Sequence, residues 1–207
     1  MMAGFLAENP QDPYVCSKLG ALYIQMGDRD EGIELLQRGL QANKIDPHTH
    51  YELLYHLGCT LGGTLESVDY YQQALQQPIA PKLKLGAMHN LGTLRQEAGD
   101  IQAAQSLYEQ VLAIDPNFAI THCHLGMVLK QQGKMADAMN HYRQAIDLKP
   151  SYSEAYQNLG VVLLKMGDVS NSLLAFGRSI ELHRQQGNET EATRLQTTLQ
   201  EMGFRIG

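Results

Sequence analysis

The chain has 207 residues, 43% of them hydrophobic, and a formal net charge of −6, a balance that excludes a general binder of nucleic acid or of anionic membranes, which would carry a basic excess or stripe. Three cysteines, Cys16, Cys59 and Cys123, are an odd set without metal-ligand spacing and read as reduced intracellular thiols. The opening MMAGFLAENPQ lacks the pattern of a signal peptide and no run approaches the roughly 18 apolar residues of a membrane span, so a cytoplasmic location is expected.

Residues ahead of Pro13 look like the end of a preceding element, because Phe5 and Leu6 have no partner of their own. From Pro13 a helical spacing begins, with Leu19-Gly20 and Tyr23, a break at Gly27, and a second helical set at Gly32, Leu36 and Gly39. Glycine at 32 and 39 permits a close helix contact but weakens the second helix by about 1 kcal/mol each relative to alanine. The next unit is irregular. Gly58 to Ser67 is shorter than the matching interval Gly126 to Ala138, which predicts that Gly62-Gly63 ends the first helix a turn early. Ser67, Tyr71 and Ala74 resume the second-helix pattern, and the missing residues reappear in the connection Gln76 to Lys84, where Pro78 and Pro81 stop the helix. Simple drift of a tolerant repeat explains this, with a local kink or pocket as the alternative.

Three regular units follow. Leu91-Gly92, Leu125-Gly126 and Leu159-Gly160 recur every 34 residues, as do Gly99, Gly133 and Gly167, and the pair Pro116 and Pro150. Each unit is a hairpin of two amphipathic helices that cannot bury both apolar faces without neighbours. Small residues at Gly92, Gly126 and Gly160, and at Ala104, Ala138 and Ser172, mark where helices approach closely, and Tyr108, Tyr142 and Phe176 are expected to fill the space between hairpins. Thr49 with Glu52, Ser151 with Glu154 and Asn188 with Glu191 have capping-box spacing. The last pair opens an eleventh helix, where Ala192, Leu195, Leu199 and Met202 form one apolar stripe suited to closing the open end of a stack.

The pattern L-G, then A-x3-[YF]-x2-small, then P resembles the tetratricopeptide repeat. The resemblance implies an all-α, right-handed α-solenoid of helix-turn-helix hairpins with a C-terminal capping helix, read as one domain with repeats at about 13–46, 47–84, 85–118, 119–152 and 153–186 and a cap at about 188–204. It also directs attention to the residue before each L-G pair: Lys18, His56, Asn90, His124 and Asn158. In this family that position faces the inner concave surface, and the likeness is greatest to the N-acetylglucosamine-transferase solenoid, whose asparagine ladder of NLG motifs holds a peptide backbone. Asn90 and Asn158 match that motif and the other three do not. The same pattern places Tyr55, Cys59, His89, Thr93, Cys123, Met127, Gln157, Val161 and Lys165 on the concave face, with Tyr55 and Met127 as apolar contacts. Gly86, Ile120 and Glu154 stand where the second lysine of a chaperone-tail clamp would fall, which rejects that clamp.

Histidine is the one residue type that raises catalysis or metal binding, through His48-Thr-His50 and His122-Cys-His124. Helical residues two apart point roughly 200° from each other, so His122 and His124 cannot chelate one ion, and His122 reads as a core residue. No nucleophile elbow, phosphate loop or zinc-protease helix is present in the sequence. The expectation is a non-catalytic scaffold without cofactor or metal, holding a protein or peptide segment in its concave groove and binding neither nucleic acid nor membrane. A second reading is the recruiting part of a larger bacterial glycosyltransferase, since FLAENPQDPYVCSKLG resembles such tails. A third is self-association through the convex face or the N-terminal end.

Overall fold

The structure, a computed structural model, describes residues 11–204, so Phe5 and Leu6 lie outside the described residues. Among those described there are eleven α-helices and no strand: α1 Pro13–Met26, α2 Arg29–Leu40, α3 Pro47–Thr60, α4 Leu65–Gln76, α5 Leu85–Glu97, α6 Ile101–Ile114, α7 Ala119–Gln131, α8 Met135–Leu148, α9 Ser153–Lys165, α10 Val169–Gln185 and α11 Glu189–Glu201, with a 3-10 turn at Pro81–Lys84 before α5. The chain divides into two compact units, Met1–Leu107 and Tyr108–Gly207.

Four of the hairpins share one close contact. A Cβ added at Gly126 of α7 would stand 2.7 Å from Cε1 of Tyr142 on α8, and one at Gly160 of α9 would stand 2.8 Å from the ring of Phe176 on α10. Gly58 and Tyr71 repeat this between α3 and α4, and Leu36 takes the aromatic's place over Gly20 between α1 and α2. The rings of Tyr71, Tyr142 and Phe176 therefore pack onto the glycine of their own hairpin, and Tyr71 and Phe176 also reach the following element, Tyr71 against Ala87 and Leu91 of α5 and Phe176 against Ala192 and Leu195 of α11. Buried Ser172 adds a polar version of the same approach, its hydroxyl donating to the Gly160 carbonyl at 2.8 Å. Each fully buried aromatic or leucine is worth about 1.5–3 kcal/mol. In the first unit such residues gather around Leu36, Leu53 and Leu57 and around Tyr51, Leu54 and Tyr71; in the second, Phe176, Ile180, Ala192, Leu195 and Leu199 join α10 to α11.

The irregular repeat keeps its helix length. α3 has 14 residues, as α1 has, but starts one turn further ahead of its Leu-Gly pair and ends one turn sooner after it. The expected loss of a turn is therefore a shift. Its cause is Asp46-Pro47: the Asp46 carboxylate accepts from the backbone N–H groups of His48 and Thr49, and proline fits the first helical position. Thr49 lies inside α3 and is buried, so it caps nothing. Of the other two capping boxes, Ser151 lies ahead of an N-cap taken by Tyr152, and Asn188 is the N-cap of α11 without a side-chain bond. Asp12, Asp46, Thr64, Asp100 and Asp168 do the capping.

Candidate functional site

In the first unit the residues ahead of the Leu-Gly pairs are largely spent on the fold. Lys18 Nζ lies 2.7 Å from both carboxylate oxygens of Glu52 on α3. Asn90 donates through Nδ2 to the Tyr71 hydroxyl at 3.0 Å and to the Cys59 sulfur at 3.5 Å. His56 is half-buried, and burial holds its imidazole below the ordinary histidine pKa, against the pull of Glu52 and with a push from Lys18. Tyr55 stacks on Tyr51 with centroids 5.7 Å apart and planes at 11°, and tilts against Tyr71 at 6.2 Å. His89 is buried, so it does not line a surface, and its carbonyl accepts from the Thr93 hydroxyl at 3.3 Å.

The second unit repeats the theme with one departure. His124 Nδ1 lies 3.3 Å from the Tyr108 hydroxyl, the counterpart of the Asn90–Tyr71 bond one repeat earlier. Asn158 breaks the series. Its Oδ1 accepts from Lys130 Nζ at 2.8 Å and its Nδ2 donates to the Glu154 carbonyl at 3.1 Å. The Tyr142 hydroxyl, which the series assigns to Asn158, is buried with no hydrogen-bond partner among the described residues. Burial lowers the Lys130 ammonium's pKa and nearby Lys165 lowers it further, while Cys123 and Glu154 oppose them. Cys123 is buried, and burial pushes its thiol up to about 12, so it is neither a nucleophile nor a groove contact. Met127 is half-buried.

His122 is a buried residue, as its sequence position implies, with a partner that the spacing of α7 alone could not reveal. Its Nε2 lies 2.9 Å from the Pro116 carbonyl, and its Nδ1 2.9 Å from Nδ1 of His141 on α8. A carbonyl only accepts, so the His122 proton sits on Nε2 and the His141 Nδ1–H donates to the remaining ring nitrogen.

The open feature of the second unit is a cavity of about 480 Å³ between α9 and α11. α9 contributes Gln157, Val161, Leu164 and Lys165, α10 contributes Phe176, and α11 contributes Arg194, Leu195, Thr198 and Leu199, with Met202 at its C-cap. Gln157, Val161 and Lys165 are among the residues expected on the concave face; of the other seven, Leu164 and Phe176 belong to the fifth repeat and five come from the segment read from sequence as closing the stack. The α11 stripe does bury Ala192, Leu195 and Leu199, but Met202 stays 54% exposed at the cavity mouth. The sequence offered no signal that Met202, counted in the closing stripe, would stay uncovered. Arg194 is held by Glu191 at 3.0 and 2.6 Å, whereas Lys165 is exposed and in no ion pair among the described residues. No cluster of three or more potential metal ligands occurs among the described residues, and none of their helices is long and apolar enough to cross a membrane.

Comparison with known proteins places this geometry. A TPR protein of Synechococcus elongatus is 39% identical over 115 residues, covering 54% of this chain and 28% of that protein, so the chain spans well under two thirds of that relative's length. Among solved structures, MamA from Desulfovibrio magneticus RS-1 superposes with a TM-score of 0.69 at 20% identity, covering 84% of this chain and 97% of MamA. YrrB, a TPR protein with an unusual peptide-binding site, superposes with a TM-score of 0.67 at 15% identity, covering 93% and 97%. These two likenesses are of fold. The family profile for the tetratricopeptide repeat matches residues 13–46, 85–118 and 153–192, and a second TPR profile matches 126–167, leaving out the repeat in which α3 is shifted. With half of its length matched in this way, the chain belongs to the tetratricopeptide repeat family.

Proposed function

We propose that this chain is a non-catalytic interaction scaffold that holds a segment of a protein partner, and that the cavity between α9 and α11 is the place where the segment docks. The observation that carries this is the cavity itself: about 480 Å³, floored by Phe176, Leu195 and Leu199 and open beside Gln157 and Lys165. Concave, mainly apolar sites with a few polar groups at the edge are where ligands bind. YrrB, of the same fold, is a TPR protein with an unusual peptide-binding site. The asparagine-ladder reading loses ground. Asn90 and Asn158, the two residues that carry the likeness to sugar-transferase solenoids, already have hydrogen-bond partners inside the fold. In this reading Gln157, Asn158 and Lys165 contribute to the docking site, and Lys18, Tyr55, His56, His89, Asn90, His124 and Met127 chiefly hold the repeats together.

A photo-crosslinking residue placed at Thr198, inside the cavity, tests this against the same residue at Gln72 on the exposed face of α4. A discrete adduct from position 198 and none from 72 is expected in the native host. Equal labelling from the two positions, or none from 198, removes the cavity as the docking site.

A further inference from the structure

Resting on the cavity as the docking site, we propose that the docked segment presents an apolar side chain next to an acidic residue: the apolar group fills the space over Phe176 and Leu195, and the carboxylate meets Lys165 and Lys130. The argument is charge complementarity at one edge of an apolar site. Lys165 lines the cavity, is exposed, and is in no ion pair among the described residues. Lys130 donates to the Asn158 amide oxygen at 2.8 Å, with Lys165 near enough to disfavour its charge and Glu154 opposing that effect more weakly. Lys165 is thus an ammonium group without an ion-pair partner among the described residues, at the edge of an apolar cavity, in a chain whose net charge is −6. The cationic group on the opposite helix, Arg194, is already neutralised by Glu191. An incoming carboxylate relieves the repulsion between the lysines, and a cationic segment would increase it.

A second observation points the same way. Asn158 holds Lys130 while the hydroxyl of Tyr142, the tyrosine of the preceding repeat, is buried without a hydrogen-bond partner among the described residues. In the two preceding repeats the equivalent tyrosine has its bond, Tyr71 to Asn90 at 3.0 Å and Tyr108 to His124 at 3.3 Å. Asn158 can therefore rotate to Tyr142 once a carboxylate takes over Lys130. Docking thus exchanges a lysine–amide bond for a lysine–carboxylate bond and a satisfied hydroxyl.

The experiment selects a randomised peptide display library on the full chain and then titrates the enriched peptides against wild type, Lys165→Glu, Thr198→Trp and Tyr142→Phe, with circular dichroism melts for each variant. Enrichment of Leu, Met or Phe near Asp or Glu is expected. Lys165→Glu should weaken binding by about fivefold or more, the upper range for an exposed ion pair, and added salt should weaken wild-type binding and not that of Lys165→Glu. Thr198→Trp, which fills the cavity mouth, should abolish binding with the melt unchanged. Tyr142→Phe should weaken binding although it touches no ligand.

Peptides that bind Thr198→Trp as well as wild type would overturn the inference while leaving a scaffold that binds elsewhere. Enrichment of basic or uncharged peptides would overturn the acidic preference and leave the cavity as the docking site. No enrichment at all would remove both readings. A concentration-dependent dimer of wild type that disappears in Thr198→Trp would assign the cavity to a second copy of the chain and overturn the inference as well.

Discussion

Asn90 and Asn158 occupy the same position of two repeats and yet do different work, and the tyrosine of the preceding repeat makes the difference visible. Asn90 bonds the Tyr71 hydroxyl; Asn158 leaves the Tyr142 hydroxyl buried and without a hydrogen-bond partner among the described residues. A buried polar group that loses its partner costs about 1–3 kcal/mol, whereas an ordinary hydrogen bond is worth about 0.5–1.5 kcal/mol net. Asn90→Ala should therefore destabilise the chain by about 1–3 kcal/mol in urea unfolding, not by the few tenths expected of a surface amide. Tyr142→Phe should do the opposite and stabilise it by about 1 kcal/mol, since it deletes an unsatisfied group and keeps the ring over Gly126. Tyr71→Phe should destabilise. If Tyr71→Phe and Tyr142→Phe shift the midpoint in the same direction, the two hydroxyls are not in the different environments described. None of this was legible in the sequence: the 34-residue register marked both asparagines as polar positions on a first helix, but their partners depend on side-chain torsions and on Lys130, one repeat away.

The helices themselves were legible because glycine, proline and the apolar spacing act locally. Gly126 and Gly133 are both unreplaceable, for different reasons. At Gly126 a Cβ would meet the Tyr142 ring at 2.7 Å, so even alanine must push the ring, and Gly126→Ala should cost about 1–3 kcal/mol by overpacking. At Gly133, in the turn after α7, there is open space but φ is 79°, so Gly133→Ala should cost about 1–2 kcal/mol through backbone strain. A double variant with Tyr142→Leu separates them. The smaller, flexible side chain should recover part of the Gly126→Ala loss and none of the Gly133→Ala loss, as read from unfolding midpoints against Tyr142→Leu alone. Helix boundaries were harder. Ser/Thr/Asn followed three residues later by glutamate suggested capping boxes at 49, 151 and 188, but at 49 Asp46 before Pro47 takes the cap, at 151 the N-cap is Tyr152, and at 188 the asparagine side chain makes no capping bond. The Asp46 cap is what moves α3 by a turn. At the other end, the α11 stripe was read as closing the stack, yet three apolar residues on a helix of 13, with Met202 at its C-cap, cannot cover both Phe176 and the apolar side of α9, and the uncovered part is the cavity.

At the scale of the whole molecule, half-buried imidazoles couple stability to pH. His56 in the first unit and His141 in the second both have their pKa lowered, chiefly by burial. His56 faces Glu52 and Lys18, and His141 faces His122, Asp137 and Glu109, whose charges partly offset one another. Unfolding returns each ring to an ordinary pKa of about 6.5. The unfolded chain then binds more protons than the native one just below that value, so stability is fully present above about pH 6.5 and is lost as pH falls through the lowered native values. The lowered carboxylates Asp46, Asp168 and Glu191 are all solvent-facing and lose their contribution only further down, below about pH 4. The window between about pH 6.5 and 5 therefore belongs to the histidines. His141→Asn keeps an N–H near the place of Nδ1, so the bond to His122 can survive while the titrating ring is gone. Melting temperatures across that window should fall for wild type, fall less for His141→Asn, and fall least when His56→Gln is added. Parallel curves for all three chains would mean that these imidazoles protonate as freely in the fold as out of it. A shared drop in melting temperature already at pH 7.5 would mean instead that asparagine fails to replace the His141 donor, leaving the His122 ring nitrogen without its bond.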